Sequence, residues 1–222
     1  MPGISIYDAA PAHACFIEKY CHKDGLVVRV LGILGSPRQG GNSDLLLEKA
    51  LAGAKDTGAE IEKFILCDHK ISGCIECNDC YESGSCTIID DMLLVYNAFE
   101  KADRIILASP MFFVGVTAQT KAAIDRCQCY WALKYVLKQK FPRPDKAPGR
   151  YGTFIGVGGT TGEKLFDGTL LTLKYFFDAI ETIPVESLYV LVRDVDEKAA
   201  VRTNDKALQS AYESGKVLAQ MT

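Results

Sequence analysis

The chain has 222 residues, of which 48% are hydrophobic and 24% charged, and its net charge at pH 7 is −3. This composition is typical of a globular domain with a sizeable core, and it argues against binding to nucleic acid or to an anionic membrane surface. No apolar run reaches the ~18 residues of a membrane-spanning helix, and the N-terminus lacks the features of a secretory signal. We therefore expect a cytoplasmic protein with an N-terminal extension (1–25) and one domain (26–222).

Five β-rich runs alternate with helical patterns along this domain. The runs cover residues 26–34, 60–66, 103–110, 151–159 and 185–192. The helical patterns cover 42–55 and 90–102, one long helix over 117–139, and segments near 163–180 and 195–220. This alternation predicts an α/β fold with a doubly wound parallel sheet. Five strands favour the flavodoxin-like order 2-1-3-4-5, in which ligands bind at the carboxyl ends of the strands.

The turn after the first strand has the composition of an anion-binding loop. It reads GSPRQGGNSDLL over residues 35–46. Its glycines allow close backbone approach, Ser36 supplies a donor, and Arg38 adds a positive charge. Asn42 or Ser43 is expected to cap the following helix, whose N-terminus favours a phosphate. The glycine patterns of dinucleotide-binding and ATP-binding loops are absent, and on spacing alone a plain tight turn remains an alternative.

Four of the nine cysteines fall within thirteen positions, in the segment CIECNDCYESGSC. Cys74, Cys77, Cys80 and Cys86 have the spacing C-x2-C-x2-C-x5-C and follow the second strand. Cysteines at steps of three can converge on one centre when a loop curls around it, as in ferredoxin loops. Structural zinc more often uses two separated pairs. The spacing favours a cubane iron-sulfur cluster over structural zinc, and four metal-free thiols remain an alternative.

Two other features carry weaker signals. Cys127 and Cys129 lie two residues apart on the predicted long helix, where they would face different directions and would not easily share a metal. The connector 138–150 is basic, with a solvated loop as its simplest interpretation and a docking surface for an acidic redox partner as an alternative. Its cationic residues are Lys138, Lys140, Arg143, Lys146 and Arg150.

Three segments resemble signatures of the flavodoxin-like NAD(P)H-dependent FMN reductases. GSPRQGGNSDLLL is similar to that family's phosphate loop, G-S-x-R-x-x-G-N-S. ASPMFFVGVTAQTKAAIDR (108–126) resembles its second signature, and GVGGTTG (156–162) resembles its third flavin-contacting loop. The cysteine spacing is similar to the motif of the iron-sulfur flavoproteins, a branch of this family that binds a [4Fe-4S] cluster there.

The resemblance implies a bound FMN and assigns its contacts. The residues meeting the phosphate would be Ser36, Arg38, Asn42 and Ser43. Those along the isoalloxazine ring would be Pro110, Met111, Phe112 and Phe113, with Gly158, Gly159 and Thr160 facing the ring from the fourth strand. Phe112 stands where the family usually has tyrosine, which removes a hydroxyl and keeps the aromatic surface. The helix residues Lys121, Asp125 and Arg126 also match, in a structural salt-bridge role or a flavin role.

We therefore expect an FMN-dependent electron-transfer oxidoreductase with a [4Fe-4S] cluster on the four motif cysteines. It would couple a one-electron donor such as a ferredoxin to two-electron chemistry at the flavin, with no catalytic side chain required. NAD(P)H is a further candidate substrate, a small molecule is the expected acceptor, and the resemblance implies a homodimer or tetramer. The alternatives are a cluster-free NAD(P)H-dependent FMN or quinone reductase, and a non-enzymatic electron shuttle or redox sensor.

Overall fold

The computed structural model describes residues 27–144, 147 and 149–222, so the predicted N-terminal extension lies outside the described residues. The strands are β1 (Arg29–Leu34), β2 (Glu60–Ile65), β3 (Arg104–Pro110), β4 (Tyr151–Val157), β5 (Ile183–Pro184) and β6 (Val190–Val192). The helices are α1 (Asn42–Lys55), α2 (Cys80–Ser83), α3 (Met92–Lys101), α4 (Ala118–Arg126), α5 (Gln128–Tyr135), α6 (Asp167–Ala179) and α7 (Asp205–Gln220). Short 3-10 helices cover Leu66–Asp68, Glu186–Leu188 and Ala200–Thr203.

The strands form one parallel sheet in the order β2-β1-β3-β4-β5, which confirms the predicted flavodoxin-like architecture. The central strands β1, β3 and β4 are buried along nearly their whole length, as their continuous apolar sequences require. The edge strand β2 instead exposes Glu60, Ile61 and Glu62. The loops that follow β1, β3 and β4 therefore meet at the same carboxyl edge of the sheet.

The fifth strand differs from its prediction as one run over 185–192. Only β6 lies within that run, β5 lies just before it, and both pair in parallel with β4. Pro184 has no N–H to continue the ladder, and the 3-10 turn that follows is held by the Thr153 hydroxyl, which donates to the Leu188 carbonyl at 2.8 Å. The predicted strand order survives because the two short strands share one position in the sheet.

The predicted single helix over 117–139 is also wrong, because it is broken at Cys127. This residue has φ −71° and ψ 3°, outside the α-helical range, and separates α4 from α5. The Tyr96 hydroxyl donates to the Arg126 carbonyl at 2.8 Å and so satisfies a carbonyl at the break. The new direction of α5 brings Cys129 and Tyr130 into the core.

Helices cover both faces of the sheet. The α1–α7 layer packs on one face, and α3, α4, α5 and α6 pack on the other. Two glycines allow the backbones of α1 and α7 to touch. A Cβ atom on Gly215 would lie 1.9 Å from the Ala50 carbonyl oxygen, and one on Gly53 would lie 2.0 Å from the Tyr212 carbonyl oxygen. Side chains larger than hydrogen at these positions would force the two helices apart.

The connector does not form the uniformly exposed basic surface that was considered. Arg150 is 3% exposed and donates to the Phe99 carbonyl, while Arg143 pairs with Asp103 at 2.7 Å. Lys138 and Lys140 are exposed, and Lys146 lies outside the described residues. A search of the described ranges for a helix long and apolar enough to cross a membrane finds none.

Candidate functional site

The loop between β1 and α1 is pressed against the start of α4. The Gly35 N–H donates to the Ala108 carbonyl at 2.8 Å, and the Thr117 hydroxyl donates to the Gly35 carbonyl at 2.6 Å. A Cβ atom on Gly35 would lie 1.9 Å from Thr120 Oγ1. The loop can therefore take this path only with glycine at its first position.

Hydrogen bonds inside the loop fix its shape. The Ser36 hydroxyl accepts the Arg38 N–H at 3.1 Å, and the Arg38 side chain extends toward solvent. Gly40, with φ +68°, donates its N–H to the Asp44 carboxylate at 2.7 Å. Lys63 lies 2.5 Å from the buried carboxylate of Asp44. This pair removes the negative charge that would otherwise oppose an anion beside the loop.

The start of α1 differs from its prediction. Neither Asn42 nor Ser43 caps the helix, because the N-cap residue is Gly41 and no side chain caps it. The Asn42 amide instead donates to the Glu197 carbonyl at 2.8 Å and accepts the Val201 N–H at 3.0 Å. Asn42 thereby joins the loop to the segment before α7, and the first N–H groups of α1 remain available to an anion.

A strained turn follows β3. Phe112 and Gly115 exchange backbone hydrogen bonds of 2.8 and 3.0 Å. The two residues between them, Phe113 and Val114, have φ values of 50° and 64°. Turns of this shape normally carry asparagine or glycine, and bulky residues there are energetically costly. The turn presents Phe112 and a fully exposed Phe113 at the carboxyl edge of the sheet.

The third loop completes this edge. The predicted fourth strand includes Gly158 and Gly159, but β4 ends at Val157, and both glycines lie with Thr160 in the loop that follows. The Gly158 N–H donates to the Val192 carbonyl at 2.9 Å, and the Met111 N–H donates to the Val157 carbonyl at 2.7 Å. The structure thus brings the three glycine-bearing loops side by side, in the order in which they follow β1, β3 and β4.

The four motif cysteines line one cavity of about 530 Å³ between their own segment and α4, α5 and α6. Cys80 is buried on α2, Cys86 is half-buried, and the other two motif cysteines, Cys74 and Cys77, are exposed. The buried residues Cys127 and Cys129 line the same cavity. Sequence reasoning set this last pair apart because it assumed one continuous helix, and no local signal marks the break.

The thiols share this cavity without forming a closed group. Over the ranges that the structure describes, no three His, Cys, Asp or Glu side chains lie close enough together to hold a metal ion. Burial raises the pKa of the Cys80 thiol, and the neighbouring Cys86, Cys74 and Cys77 raise it further. Burial likewise raises the pKa of Cys129 to about 12. These thiols are therefore neutral at pH 7 in this arrangement.

Helix α4 runs from the end of the strained turn after β3, called here the flavin-signature turn (112–115), to the cysteine cavity. At its start, the Thr117 hydroxyl caps the helix by accepting the Thr120 N–H at 3.3 Å. The sequence analysis missed this N-cap, although threonine is one of the residues preferred at that position. Along the helix, Lys121 and Asp125 form an exposed ion pair at 2.7 Å. At its end, Arg126 is 1% exposed and points to the cysteine segment, with its Nε 3.2 Å from Cys86 Sγ.

Comparison with known proteins identifies the family of the chain. Residues 28–195 match the family described as NADPH-dependent FMN reductase. Curated relatives named iron-sulfur flavoprotein include one from Methanocaldococcus jannaschii, 46% identical over 99 residues, covering 45% of this chain and 51% of that protein. One from Archaeoglobus fulgidus is 41% identical over 131 residues, covering 59% of this chain and 56% of that protein. A second from Archaeoglobus fulgidus is 34% identical over 158 residues, covering 70% of this chain and 74% of that protein. The matches to the first two thus span little more than half of those relatives.

Solved structures show the same fold at low identity. The NAD(P)H:quinone oxidoreductase from Methanothermobacter marburgensis superposes with a TM-score of 0.65 at 15% identity, covering 89% of this chain and 98% of that one. The fold is that of the flavodoxin-like proteins, and the matched family is one of FMN reductases. The chain belongs to the NADPH-dependent FMN reductase family, and within it resembles the proteins named iron-sulfur flavoproteins, which confirms the resemblance found in the sequence.

Proposed function

We propose that the protein binds FMN at the three-loop edge and a [4Fe-4S] cluster at Cys74, Cys77, Cys80 and Cys86. It would transfer electrons between a one-electron donor such as a ferredoxin and a two-electron acceptor. The observation that carries this proposal is that the four motif thiols line one cavity at the far end of α4, the helix that starts beside the flavin-signature turn. When bound, FMN exchanges one or two electrons, and a cluster exchanges one.

The residues of the first loop suit the FMN phosphate. The N–H groups at the start of α1 and the cation of Arg38 favour an anion, and the Asp44 carboxylate beside them is neutralised by Lys63. Asn42 and Ser43 stand at the first turn of α1, where the phosphate would bind. The site therefore supplies donors and positive charge, and the buried carboxylate of Asp44 has its own counter-charge.

The strained turn after β3 supports a ring-binding role. Two bulky residues in the left-handed region cost of order 1–3 kcal/mol each, which packing does not repay because Phe113 is fully exposed. An aromatic ligand beside Phe112 and Phe113 would bury this surface and offset the strain. The isoalloxazine ring would be bordered on one side by Pro110 and Met111 and on the other by Gly158, Gly159 and Thr160.

The cysteine donor set suits a cluster chemically, since thiolates are the usual ligands of cubane clusters. Cys80 and Cys86 are held by packing, whereas Cys74 and Cys77 lie on the exposed part of the loop. Glu76 and Asn78, which flank Cys77, have φ values of 56° and 65°. Closing the donor set would require this outer part of the loop to move toward Cys80 and Cys86.

The two sites would lie at opposite ends of one short helix. The nine residues of α4, at 1.5 Å each, span about 14 Å. Its first turn is tied to the phosphate loop through Thr117, and its last residue contacts Cys86. We further propose NAD(P)H as a reductant and a homodimer or tetramer as the assembly, in line with the family.

Anaerobic purification followed by iron, sulfide and FMN analysis tests the cluster. We expect Cys77→Ser to lose the broad absorbance near ~400 nm and its iron while FMN stays bound, since serine replaces a thiolate ligand at an exposed position. Cys67→Ser serves as the matched control, because Cys67 does not line the cavity, and it should keep its iron. Full iron content in Cys77→Ser would contradict ligation by this residue.

The phosphate loop is tested with Asn42→Ala. We expect FMN affinity to fall by about 1–3 kcal/mol, because the side chain that ties the loop to the segment before α7 is lost and the N–H groups at the start of α1 are no longer held in place. Asn204→Ala removes the N-cap of α7 at a comparable stability cost and should leave FMN affinity unchanged. Fluorescence titration of apoprotein with FMN measures both, and equal affinities in Asn42→Ala and the wild type would argue against this phosphate site.

The exposed positions of Cys74 and Cys77 also suit the cluster-free alternative, an NAD(P)H-dependent FMN or quinone reductase. Wild-type protein purified without oxygen, with full FMN and near-zero iron, would establish that alternative. Steady-state turnover with NAD(P)H and several acceptors then separates a reductase from an electron shuttle or redox sensor, which would show no nicotinamide-dependent rate.

A further inference from the structure

One guanidinium group holds both ends of the cysteine segment. Arg126 Nη1 donates to the Ser72 carbonyl at 3.1 Å, just before the first motif cysteine, and to the Asp90 carboxylate at 2.8 Å. Nη2 donates to the Ile88 carbonyl at 3.0 Å, and Nε donates to Cys86 Sγ at 3.2 Å. Each of the three nitrogens of this buried side chain thus contacts the segment 72–90.

The ends of this segment are also joined to each other. The Ser72 N–H donates to the Asp90 carboxylate at 2.9 Å. The Lys70 N–H donates to the Asp91 carboxylate at 2.7 Å, and the Asp91 N–H returns to the Lys70 carbonyl at 3.2 Å. The segment is therefore a closed loop, and Arg126 lies at its neck with its charge directed at a motif sulfur.

The charge on Arg126 is permanent. The Asp90 carboxylate 2.8 Å away offsets the cost of burying this guanidinium, which stays protonated in proteins. The ion pair with Asp90 is nearly dry, with side chains 1% and 11% exposed. Water therefore screens this cation poorly, and its field acts on the sulfur beside it.

We propose that Arg126 is a positioning residue that directs Cys86 into the cavity and raises the reduction potential of the cluster bound there. The inference rests on the proposed [4Fe-4S] cluster. A cluster with four thiolate ligands is anionic and gains one more negative charge on reduction, so a neighbouring buried cation favours the reduced form. Net charge and hydrogen bonds to sulfur are established determinants of cluster potentials.

The test compares two variants whose electrostatic effects have opposite signs. Arg126→Gln removes the cation and should lower the cluster potential, by about tenfold or more in the one-electron equilibrium, which corresponds to about 59 mV. Asp90→Asn removes the counter-charge, leaves Arg126 uncompensated, and should raise the potential. Lys174→Gln, which removes an exposed and solvent-screened cation on α6 outside the cavity, should shift it far less.

Redox titration of anaerobically purified holoprotein, followed by electron paramagnetic resonance, measures the three potentials alongside iron and FMN content. Opposite shifts support the proposal, whereas a purely structural clamp would loosen in both variants and shift the potential in one direction or not at all. If Arg126→Gln retains no iron, the potential of Asp90→Asn alone tests the inference. An Asp90→Asn potential that is unchanged or lower than that of the wild type would overturn it. A wild-type protein without iron would overturn the proposed function, and this inference with it, whereas unshifted variants of an iron-loaded protein would overturn the inference alone.

Discussion

Replacing Gly35 by alanine isolates the contact that presses the phosphate loop against α4. The added Cβ would lie 1.9 Å from Thr120 Oγ1 and 3.2 Å from the Ala108 carbonyl oxygen. The backbone of Gly35 is outside the left-handed region, so alanine meets a steric obstacle and no conformational one. The threonine cannot simply rotate away, because its hydroxyl is hydrogen-bonded to Thr117 Oγ1 at 2.9 Å in a buried site.

The magnitude follows from these contacts. Displacing the Thr120 hydroxyl loses a buried hydrogen bond, of about 0.5–1.5 kcal/mol. Overpacking adds about 1–3 kcal/mol. We therefore expect Gly35→Ala to lower the free energy of unfolding by about 2–4 kcal/mol and the Tm by about 5–15 °C. FMN affinity should fall as well, because the loop that faces the phosphate must shift.

Urea unfolding of the apoprotein and of the FMN-saturated protein separates lost stability from lost ligand affinity. In Gly35→Ala/Thr120→Ala the obstructing oxygen is absent, so the double variant should be less destabilised than the sum of the single variants, by about 1–2 kcal/mol. Gly73→Ala, where a Cβ meets nothing within 4 Å, is the control and should be neutral or slightly stabilising. Strict additivity of Gly35→Ala and Thr120→Ala would refute the steric argument.

Two further predictions concern stability. Gly215→Ala gains about 1 kcal/mol of helix propensity, yet thermal melts should show the protein destabilised by about 1–3 kcal/mol, because the new Cβ would lie 1.9 Å from the Ala50 carbonyl oxygen. Ser210→Ala, at an exposed position on the same helix, is the control. A stabilised Gly215→Ala variant would contradict the close packing of α1 and α7. Burial alone would raise the pKa of Asp178, but hydrogen bonds, chiefly from Lys134, leave it lower than 3.8. As the pH falls, the unfolded chain therefore takes up the proton first. The stability that the Lys134–Asp178 interaction contributes is present above pH ~4 and is lost as the pH falls below it. Urea unfolding of the apoprotein between pH 3 and 7 should show a weaker acid dependence in Lys134→Met than in wild type.

The sheet could be predicted from the sequence because its central strands are buried on both faces and read as continuous apolar runs. Helix α1 was predicted with its observed bounds, since glycines precede its apolar repeat and Asp56 and Thr57 follow it. The break at Cys127 could not be predicted, because the residues on either side continue a helical pattern. The carbonyl at the break is satisfied by Tyr96 from another helix, a tertiary contact that no local pattern records.

The candidate site was predictable where chemistry is local and unpredictable where it is shared between distant segments. The glycines of the first loop and the cysteine spacing are visible in short stretches of sequence. The contacts of Asn42 with Glu197 and Val201 are not visible there, because these residues lie 155 and 159 positions away in the chain. The direction of Arg126 was equally hidden, since its contacts lie 36 to 54 residues earlier in the chain.

The closed neck of the cysteine loop has a consequence for how such a protein can vary. Residues 70 and 91 bond to each other, so the loop leaves and rejoins the fold at a single point. The length of its exposed part, residues 72–79, can therefore change without altering the register of β2 or the position of α3. A prosthetic group carried there would form a module whose loss leaves the flavodoxin-like scaffold intact.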